Sequence, residues 1–163
     1  SKRSLLWYIF SGAKSKEASA TSDYYCRLLL QSQHNETRHQ IERDLARTFP
    51  SHHLFASRDD GEAQRALRRV LVAYSLRNPQ IGYCQGQNFI AGFLLIATNG
   101  DEERSFWLFA TIVEDLLPDY FSRSLTGALV DERVFAFLIE RRFPRLFAHL
   151  ERIHFPLAVL SVR

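Results

Sequence analysis

Two polar segments of the chain carry residue types that can act on a bound partner. The first runs from residue 41 to residue 50 and reads IERDLARTFP, with Asp44 and Arg47 three residues apart. Residues at this spacing are neighbours on one face of a helix. A carboxylate beside an arginine can hold the guanidinium and direct it outward, where its planar fork suits carboxylates and phosphates. An ordinary surface ion pair, worth under ~1 kcal/mol, has the same spacing, so this pattern leaves both interpretations open.

The second segment runs from residue 78 to residue 88 and reads NPQIGYCQGQN. It is a short connection carrying Tyr83, Gln85 and Asn88, and it leads into a very apolar stretch. Connections held by rigid helices are where working polar groups concentrate. A helix cap with Gln85 merely solvated is the alternative, and the residues alone do not decide between the two.

Hydrophobic periodicity predicts helices on both sides of these segments, and strict alternation over strand lengths does not occur. The fold class that follows is all-α, with about eight helices. Residues 14–21 are polar and small and are predicted to form a loop. The predicted helices cover residues 3–10, 22–31, 36–48, 62–77, 86–98, 101–117, 126–142 and 144–153, and another begins at Pro156.

The composition is that of a packed domain with a modest positive charge. The chain has 163 residues, of which 46% are hydrophobic and 24% charged, and this excludes disorder as the main state. The formal charge of +3 is too small to indicate a nucleic-acid partner. Lysine occurs at positions 2, 14 and 16 alone, so the cationic surface is almost entirely arginine.

Several kinds of chemistry lack their usual patterns. The histidines, at positions 34, 39, 52, 53, 149 and 154, show no HExxH spacing, so no metal site is predicted. Nothing adjacent to Cys84 lowers the pKa of its thiol, and two cysteines do not make a disulfide framework. No P-loop or dinucleotide-binding glycine pattern is present, and no apolar run approaches the ~20 residues that span a bilayer. A cytoplasmic location is the expectation.

Three motifs, in this order along the chain, together resemble the signatures of the TBC domain, a family of GTPase-activating proteins for Rab GTPases. They are Arg3 to Trp7 (RxxxW), Ile41 to Arg47 (IxxDxxR, continued by TFP), and Tyr83 to Gln85 (YxQ, continued by Gly86 and Asn88). One departure is Gln87, at a place where the family usually has methionine. The resemblance extends over residues 1–163 and implies a multi-helix TBC-like domain, truncated on its C-terminal side, with the N-terminal lobe and part of the second lobe. We expect such a fragment to expose an apolar face, to associate, and to be weaker in activity than a longer chain.

The resemblance also implies a mechanism with two residues supplied in trans. Arg47 is the implied arginine finger and Gln85 the implied glutamine finger, which orients the attacking water. Asp44 is implied to position Arg47, and the implied supporting residues are Arg3, Trp7, Tyr83, Gly86 and Asn88. Helical periodicity does not choose between Arg47 and Arg43, one turn away, but the family motif chooses Arg47. The chain is then an activator rather than an enzyme, and it needs no cofactor because GTP and magnesium belong to the partner.

The partner implied by the resemblance is a Rab-family GTPase in its GTP-bound form, with no nucleic acid involved. This places the protein in vesicle trafficking and intracellular protein transport, cytoplasmic and peripheral to endomembranes. Two alternatives are a TBC-like adaptor that binds a small GTPase without accelerating hydrolysis, and an unrelated helical interaction domain. Retention of both Arg47 and Gln85 argues against the adaptor, because scaffolding requires neither.

Overall fold

A computed structural model describes residues 2–31, 37–56, 61–122 and 124–157, and these residues form helices and turns with no strand. The all-α fold class is confirmed. The helices are α1 (Lys2–Phe10), α2 (Ala13–Ala18), α3 (Tyr24–Gln31), α4 (Arg38–Leu45), α5 (Glu62–Arg77), α6 (Gln87–Thr98), α7 (Glu102–Thr111), α8 (Thr126–Arg142) and α9 (Pro144–Arg152), and a π-helical segment, Ile112–Leu116, continues α7.

The chain divides into two compact units, Ser1–Leu116 and Leu117–Arg163. In the first unit, α5, α6 and α7 pack against one another, and α4 packs on α5. Removing large apolar side chains from water stabilises this core by ~1.5–3 kcal/mol each. The fully buried residues that make the core include Leu67, Val70, Leu71, Leu94, Leu95, Phe106, Trp107 and Phe109.

The predicted loop over residues 14–21 is wrong, because most of that segment is helix α2. Ala13 at its start is fully buried, and the Lys16 ammonium lies 2.7 Å from a carboxylate oxygen of Glu114. A partner 98 residues away leaves no signal in the local composition. The polar segment is therefore helical because of what it packs against.

Two other helices end before their predicted residue. Helix α4 stops at Leu45 instead of residue 48, and Phe49 takes a positive φ of 45°, so the chain turns ahead of Pro50. The helix predicted to continue to residue 117 changes at Thr111 into the wider π-helical turn. The remaining predicted helices are confirmed to within two residues, except that residue 36 and most of the helix predicted from Pro156 lie outside the described residues.

In the second unit, α8 and α9 pack against each other, and neither helix contains a buried residue. Several large apolar side chains of α8 are about half exposed; they are Leu129, Val130, Val134, Phe137 and Leu138. Within the described ranges, none of the helices has both the length and the apolarity that a membrane crossing requires.

Candidate functional site

Helix α4 is oriented by its buried face. Ile41 and Leu45, four residues apart, are buried, and α4 packs on α5. The Arg68 guanidinium of α5 adds a bond of 2.6 Å to the Glu42 carboxylate of α4. These contacts fix the rotation of α4, so the residues on its opposite face are held outward.

Helix α4 and the turn that follows it line a polar pocket. Gln40, Arg43 and Asp44 of α4 and Arg47 of the turn keep the three- and four-residue spacing of one helical face, and Gln85 joins them from the connection before α6. The pocket has a volume of about 360 Å³. Arg47 and Gln85, the two residues singled out by the family motifs, are thus brought together although they are far apart in the chain.

A buried carboxylate anchors the arginine of this pocket. Asp44 is 5% exposed, and its two oxygens have different partners. Arg47 Nη2 lies 2.7 Å from Asp44 Oδ1, and the Tyr83 hydroxyl donates to Asp44 Oδ2 over 2.6 Å. The Arg47 side chain remains 46% exposed, so its guanidinium is fixed at one edge and accessible at the other.

Tyr83 acts as a hydrogen-bond donor throughout the neutral pH range. Burial raises the pKa of its phenol, and the hydrogen bond to the Asp44 carboxylate raises it further. The hydroxyl therefore keeps the proton that it donates. Because a buried carboxylate without donors is costly, this bond stabilises the arrangement that holds Arg47.

A short chain of hydrogen bonds connects the Arg47 segment to the Gln85 segment. The Thr48 hydroxyl donates to the Asp44 carbonyl over 2.7 Å and accepts from Asn88 Nδ2 over 2.9 Å. Asn88 Oδ1 in turn accepts from the Gly86 amide over 3.1 Å. Gly86 has a φ of 101°, a left-handed value that favours glycine. The Thr48 and Asn88 side chains thus bond to each other and to the backbones of both connections, and this hydrogen-bonded support holds the two connections together.

Helix α6 approaches this support very closely at Gly92. A Cβ atom there would lie 2.8 Å from Thr48 Cγ2 and 3.2 Å from the Phe49 ring. The ring of Phe49 also meets the ring of Phe89 edge-on at 5.8 Å. The absence of a side chain at Gly92 therefore allows α6 to contact the segment that carries Arg47.

Gln85 is positioned through its backbone and not through its side chain. The residue is exposed, and no hydrogen bond to its side-chain amide occurs within the described part of the chain. Its neighbour Gln87 is the opposite case: it is 1% exposed, and neither amide atom has a hydrogen-bond partner among the described residues. Gln87 is the position at which the sequence departs from the usual family pattern.

Arg3 and Trp7 do not line the pocket. The Arg3 guanidinium lies 5.6 Å from the centre of the Trp7 ring, which lies 5.9 Å from the ring of Phe93 on α6. Arg3 thus contacts Trp7, and Trp7 contacts helix α6, whose first residues follow Gln85. Asp44, Tyr83, Gly86 and Asn88, by contrast, are all in the pocket or its support.

Sequence reasoning missed three contributors to the site. Gln40 could have been found from its helical spacing to Asp44 and Arg47. The double hydrogen bond of Thr48 and the close approach at Gly92 have no local signal, because each involves a partner more than 35 residues away.

Other chemistry has little support in the described residues. No group of three or more histidine, cysteine, aspartate or glutamate side chains lies close enough there to hold a metal ion. Burial raises the pKa of the Cys84 thiol, which is the reverse of what activates a nucleophile.

The pocket is suited to an anionic group. The lining holds two guanidinium groups and one carboxylate, which is already paired with Arg47 and Tyr83, and two glutamine amides complete it. The other N–H donors of the lining are suited to bind negatively charged oxygens, such as those of a phosphoryl group.

Comparison with known proteins agrees with the all-α fold and with the resemblance to the TBC family. The model of the Rab-GTPase-TBC domain family matches residues 1–163. Growth hormone-regulated TBC protein 1 of Homo sapiens is 39% identical over 151 residues, which are 93% of this chain and 44% of that protein. TBC1 domain family member 2B of Xenopus tropicalis is 41% identical over 155 residues, 92% of this chain and 16% of that protein. The chain thus spans less than half the length of these curated relatives.

Two solved structures of Rab-GAP domains superpose on this chain. The Chlamydomonas flagellar RabGAP TBC domain superposes with a TM-score of 0.84 at 36% identity, over 98% of this chain and 52% of that one. The Ypt/Rab-GAP domain of Gyp1p superposes with a TM-score of 0.71 at 22% identity, over 95% of this chain and 59% of that one, and shows the fold alone. The chain belongs to the Rab-GTPase-TBC domain family.

Proposed function

We propose that this protein activates GTP hydrolysis by a Rab-family GTPase, to which it supplies Arg47 and Gln85 in trans. The observation that carries the proposal is the anchored arginine: a buried Asp44 holds one edge of the Arg47 guanidinium, and the other edge faces a pocket shared with Gln85. A structural ion pair does not require an exposed arginine or a neighbouring glutamine.

Arg47 supplies positive charge to the phosphoryl group in transit. The transition state of phosphoryl transfer spreads negative charge over the transferred group, and an arginine supplied by another protein accelerates it ~10³–10⁵-fold. Asp44 binds the Arg47 guanidinium at Nη2. The other N–H groups of the guanidinium contact these oxygens. Holding the guanidinium before the partner binds lowers the cost of ordering it in the complex.

Gln85 orients the attacking water in place of the glutamine of the GTPase itself. A glutamine amide both accepts and donates, so it can bind a water proton and a phosphate-bound oxygen at once. The position of Gln85 in the lining of the pocket that Arg47 also lines suits this role.

The partner brings the nucleotide and the metal. GTP and magnesium are bound by the GTPase, so this chain contributes side chains and no cofactor of its own. The GTP-bound form of the Rab is the state that is recognised. Through that partner the protein acts in vesicle trafficking, in the cytoplasm and at the periphery of endomembranes.

Single-turnover GTP hydrolysis on a panel of Rab GTPases tests the proposal. We expect this protein, in excess, to accelerate at least one of them, and the Arg47→Ala variant to bind that GTPase without accelerating it. Binding by the unaltered protein with no acceleration on any GTPase would instead favour the adaptor. Neither binding nor acceleration would exclude both.

A further inference from the structure

Arg43 differs from the arginines around it. Among the described residues between positions 38 and 77, each other arginine forms an ion pair with a carboxylate, while Arg43 has none. The pairs are Arg38 with Glu42, Arg47 with Asp44, Arg65 with Glu62, Arg68 with Glu42, Arg69 with Glu62 and Glu102, and Arg77 with Glu114.

The place of Arg43 makes this difference relevant to function. It is exposed on α4, one turn before Arg47, and it lines the same pocket. The Glu42 carboxylate next to it in sequence is bound by Arg38 and Arg68 on another face of the helix. The Asp44 carboxylate already receives Arg47 and Tyr83. The charge of Arg43 is therefore left for a partner.

We propose that Arg43 is an affinity-determining residue, whose guanidinium binds an anionic oxygen in the complex with the GTPase. The inference rests on the proposed function and deepens it. It gives the two arginines of the pocket different roles, with Arg47 acting on the rate at saturation and Arg43 on the concentration needed to reach it. Gln40, one turn further back, adds an amide donor beside Arg43.

The physical reason for this division is the difference in support. Arg47 is held by a buried carboxylate, so its contact is directed and can strengthen as charge develops on the transferred group. Arg43 has no such anchor, so it follows the anion wherever the complex presents it. An interaction of this kind stabilises the ground state and the transition state alike. It therefore changes the half-saturating concentration and leaves the maximal rate unchanged.

The anionic oxygen has two sources, a nucleotide phosphate or a carboxylate of the GTPase. Equilibrium binding separates them. If Arg43 contacts the terminal phosphate, the Arg43→Ala substitution weakens binding to the GTPase loaded with a non-hydrolysable GTP analogue and leaves binding to its GDP form unchanged. If it contacts a carboxylate of the GTPase, both forms lose affinity equally.

The kinetic experiment measures the single-turnover rate against activator concentration at two salt concentrations. For Arg43→Ala we expect the half-saturating concentration to rise ~5–20-fold, the maximal rate to stay within ~2-fold, and the salt dependence of half-saturation to become weaker. Arg43→Lys should recover part of the affinity and Arg43→Glu should lose more than alanine. Arg38→Ala is the matched control, because it removes the same charge from the same helix outside the pocket.

The outcomes separate this inference from the proposed function. If the unaltered protein accelerates hydrolysis and Arg43→Ala has the same half-saturating concentration and the same affinity, the role of Arg43 is overturned and the proposed function stands. A fall in the maximal rate at unchanged half-saturation would also overturn it, since Arg43 would then be catalytic. An equal loss in Arg38→Ala would show a nonspecific charge effect. An unaltered protein that neither binds nor accelerates would overturn both proposals.

Discussion

Arg47 and Gln85 reach one pocket from two connections that are held in different ways. The Arg47 guanidinium forms an ion pair with a buried carboxylate, which accepts a hydrogen bond from a buried tyrosine. The Gln85 amide is exposed, and within the described part of the chain its side chain receives no such support. Their backbones, however, are connected through the Thr48 and Asn88 side chains.

This difference indicates how binding cost is distributed between the two side chains. The Arg47 side chain is ordered by the fold, so the entropy cost of restricting it belongs to the free energy of folding and not to that of binding. The glutamine loses its rotamer freedom when the partner arrives, at ~0.5–1.5 kcal/mol for a flexible side chain. Substitutions that remove either side chain or its support test this difference between Arg47 and Gln85.

Replacing Arg47 has the largest expected effect. Arg47→Ala should lower the maximal rate of stimulated GTP hydrolysis by ~10²-fold or more, because the charge on the transferred group loses its partner. Arg47→Lys should recover little, since lysine has no bidentate fork. Arg27→Ala is the control, because it removes an exposed, carboxylate-paired arginine from helix α3. A larger loss from Arg43→Ala than from Arg47→Ala would show that the finger is misassigned.

Replacing Gln85 should reduce the rate by ~10²-fold while binding is retained, at the lower end of the usual range for a group that acts on proton transfer. The sharper measurement uses a target GTPase that lacks its own glutamine. If Gln85 orients the water, that GTPase should still respond to the unaltered protein and should stop responding to Gln85→Ala. No response to the unaltered protein would exclude the second-finger role.

Tyr83→Phe tests the support of the arginine alone. It removes the donor to Asp44 Oδ2, and hydrogen bonds to charged groups contribute ~1.5–3 kcal/mol to the free energy of unfolding. We expect that loss in chemical denaturation, and a fall in rate of ~10-fold as Arg47 becomes less restricted. Tyr120→Phe is the matched control, because the Tyr120 hydroxyl also bonds a carboxylate, that of Asp131, but at an exposed place.

The pH dependence of that loss has a definite sign. The pKa of Tyr83 is raised by burial and by the Asp44 carboxylate, so the hydrogen bond contributes fully below the unfolded pKa of about 10 and declines only as the pH rises toward the folded value. The stability difference between the unaltered protein and Tyr83→Phe should therefore be constant from about pH 6 to about pH 9. A difference that disappears within this range would mean that the bond is not the source of the effect.

Gln87→Met should have the smallest effect, and the effect should be favourable. The substitution removes a buried amide without hydrogen-bond partners among the described residues and keeps the side-chain volume, so we expect about 1 kcal/mol of added stability and a Tm higher by ~2–4 °C. The hydrolysis rate should stay within ~2-fold. Gln80→Met, at an exposed position, is the control and should leave the Tm unchanged. A destabilised Gln87→Met variant would mean that the amide has a structural role.

The sequence by itself determined the helices that have clear local signals, and the residues of the motifs. Helix α5 matches its prediction at both ends, because an apolar face of helical period is bounded by Gly61 and by Asn78 followed by proline. Helix α6 differs by one residue for the same kind of reason. The spacing of Asp44 and Arg47 correctly predicted that the two side chains are neighbours, although α4 ends at Leu45 and Arg47 lies in the turn that follows it.

Tertiary structure decided what depends on distant partners. The helical state of residues 13–18 follows from burial of Ala13 and from the ion pair of Lys16 with Glu114, neither of which periodicity contains. The burial of the Asp44 carboxylate depends on Tyr83, 39 residues away, and the joining of the two connections depends on Thr48 and Asn88, 40 residues apart. Whether an arginine is paired or free is likewise decided by which carboxylates the fold brings near it. Local sequence encodes backbone preference and the faces of helices, whereas the direction and availability of a charged group are properties of its neighbours in space.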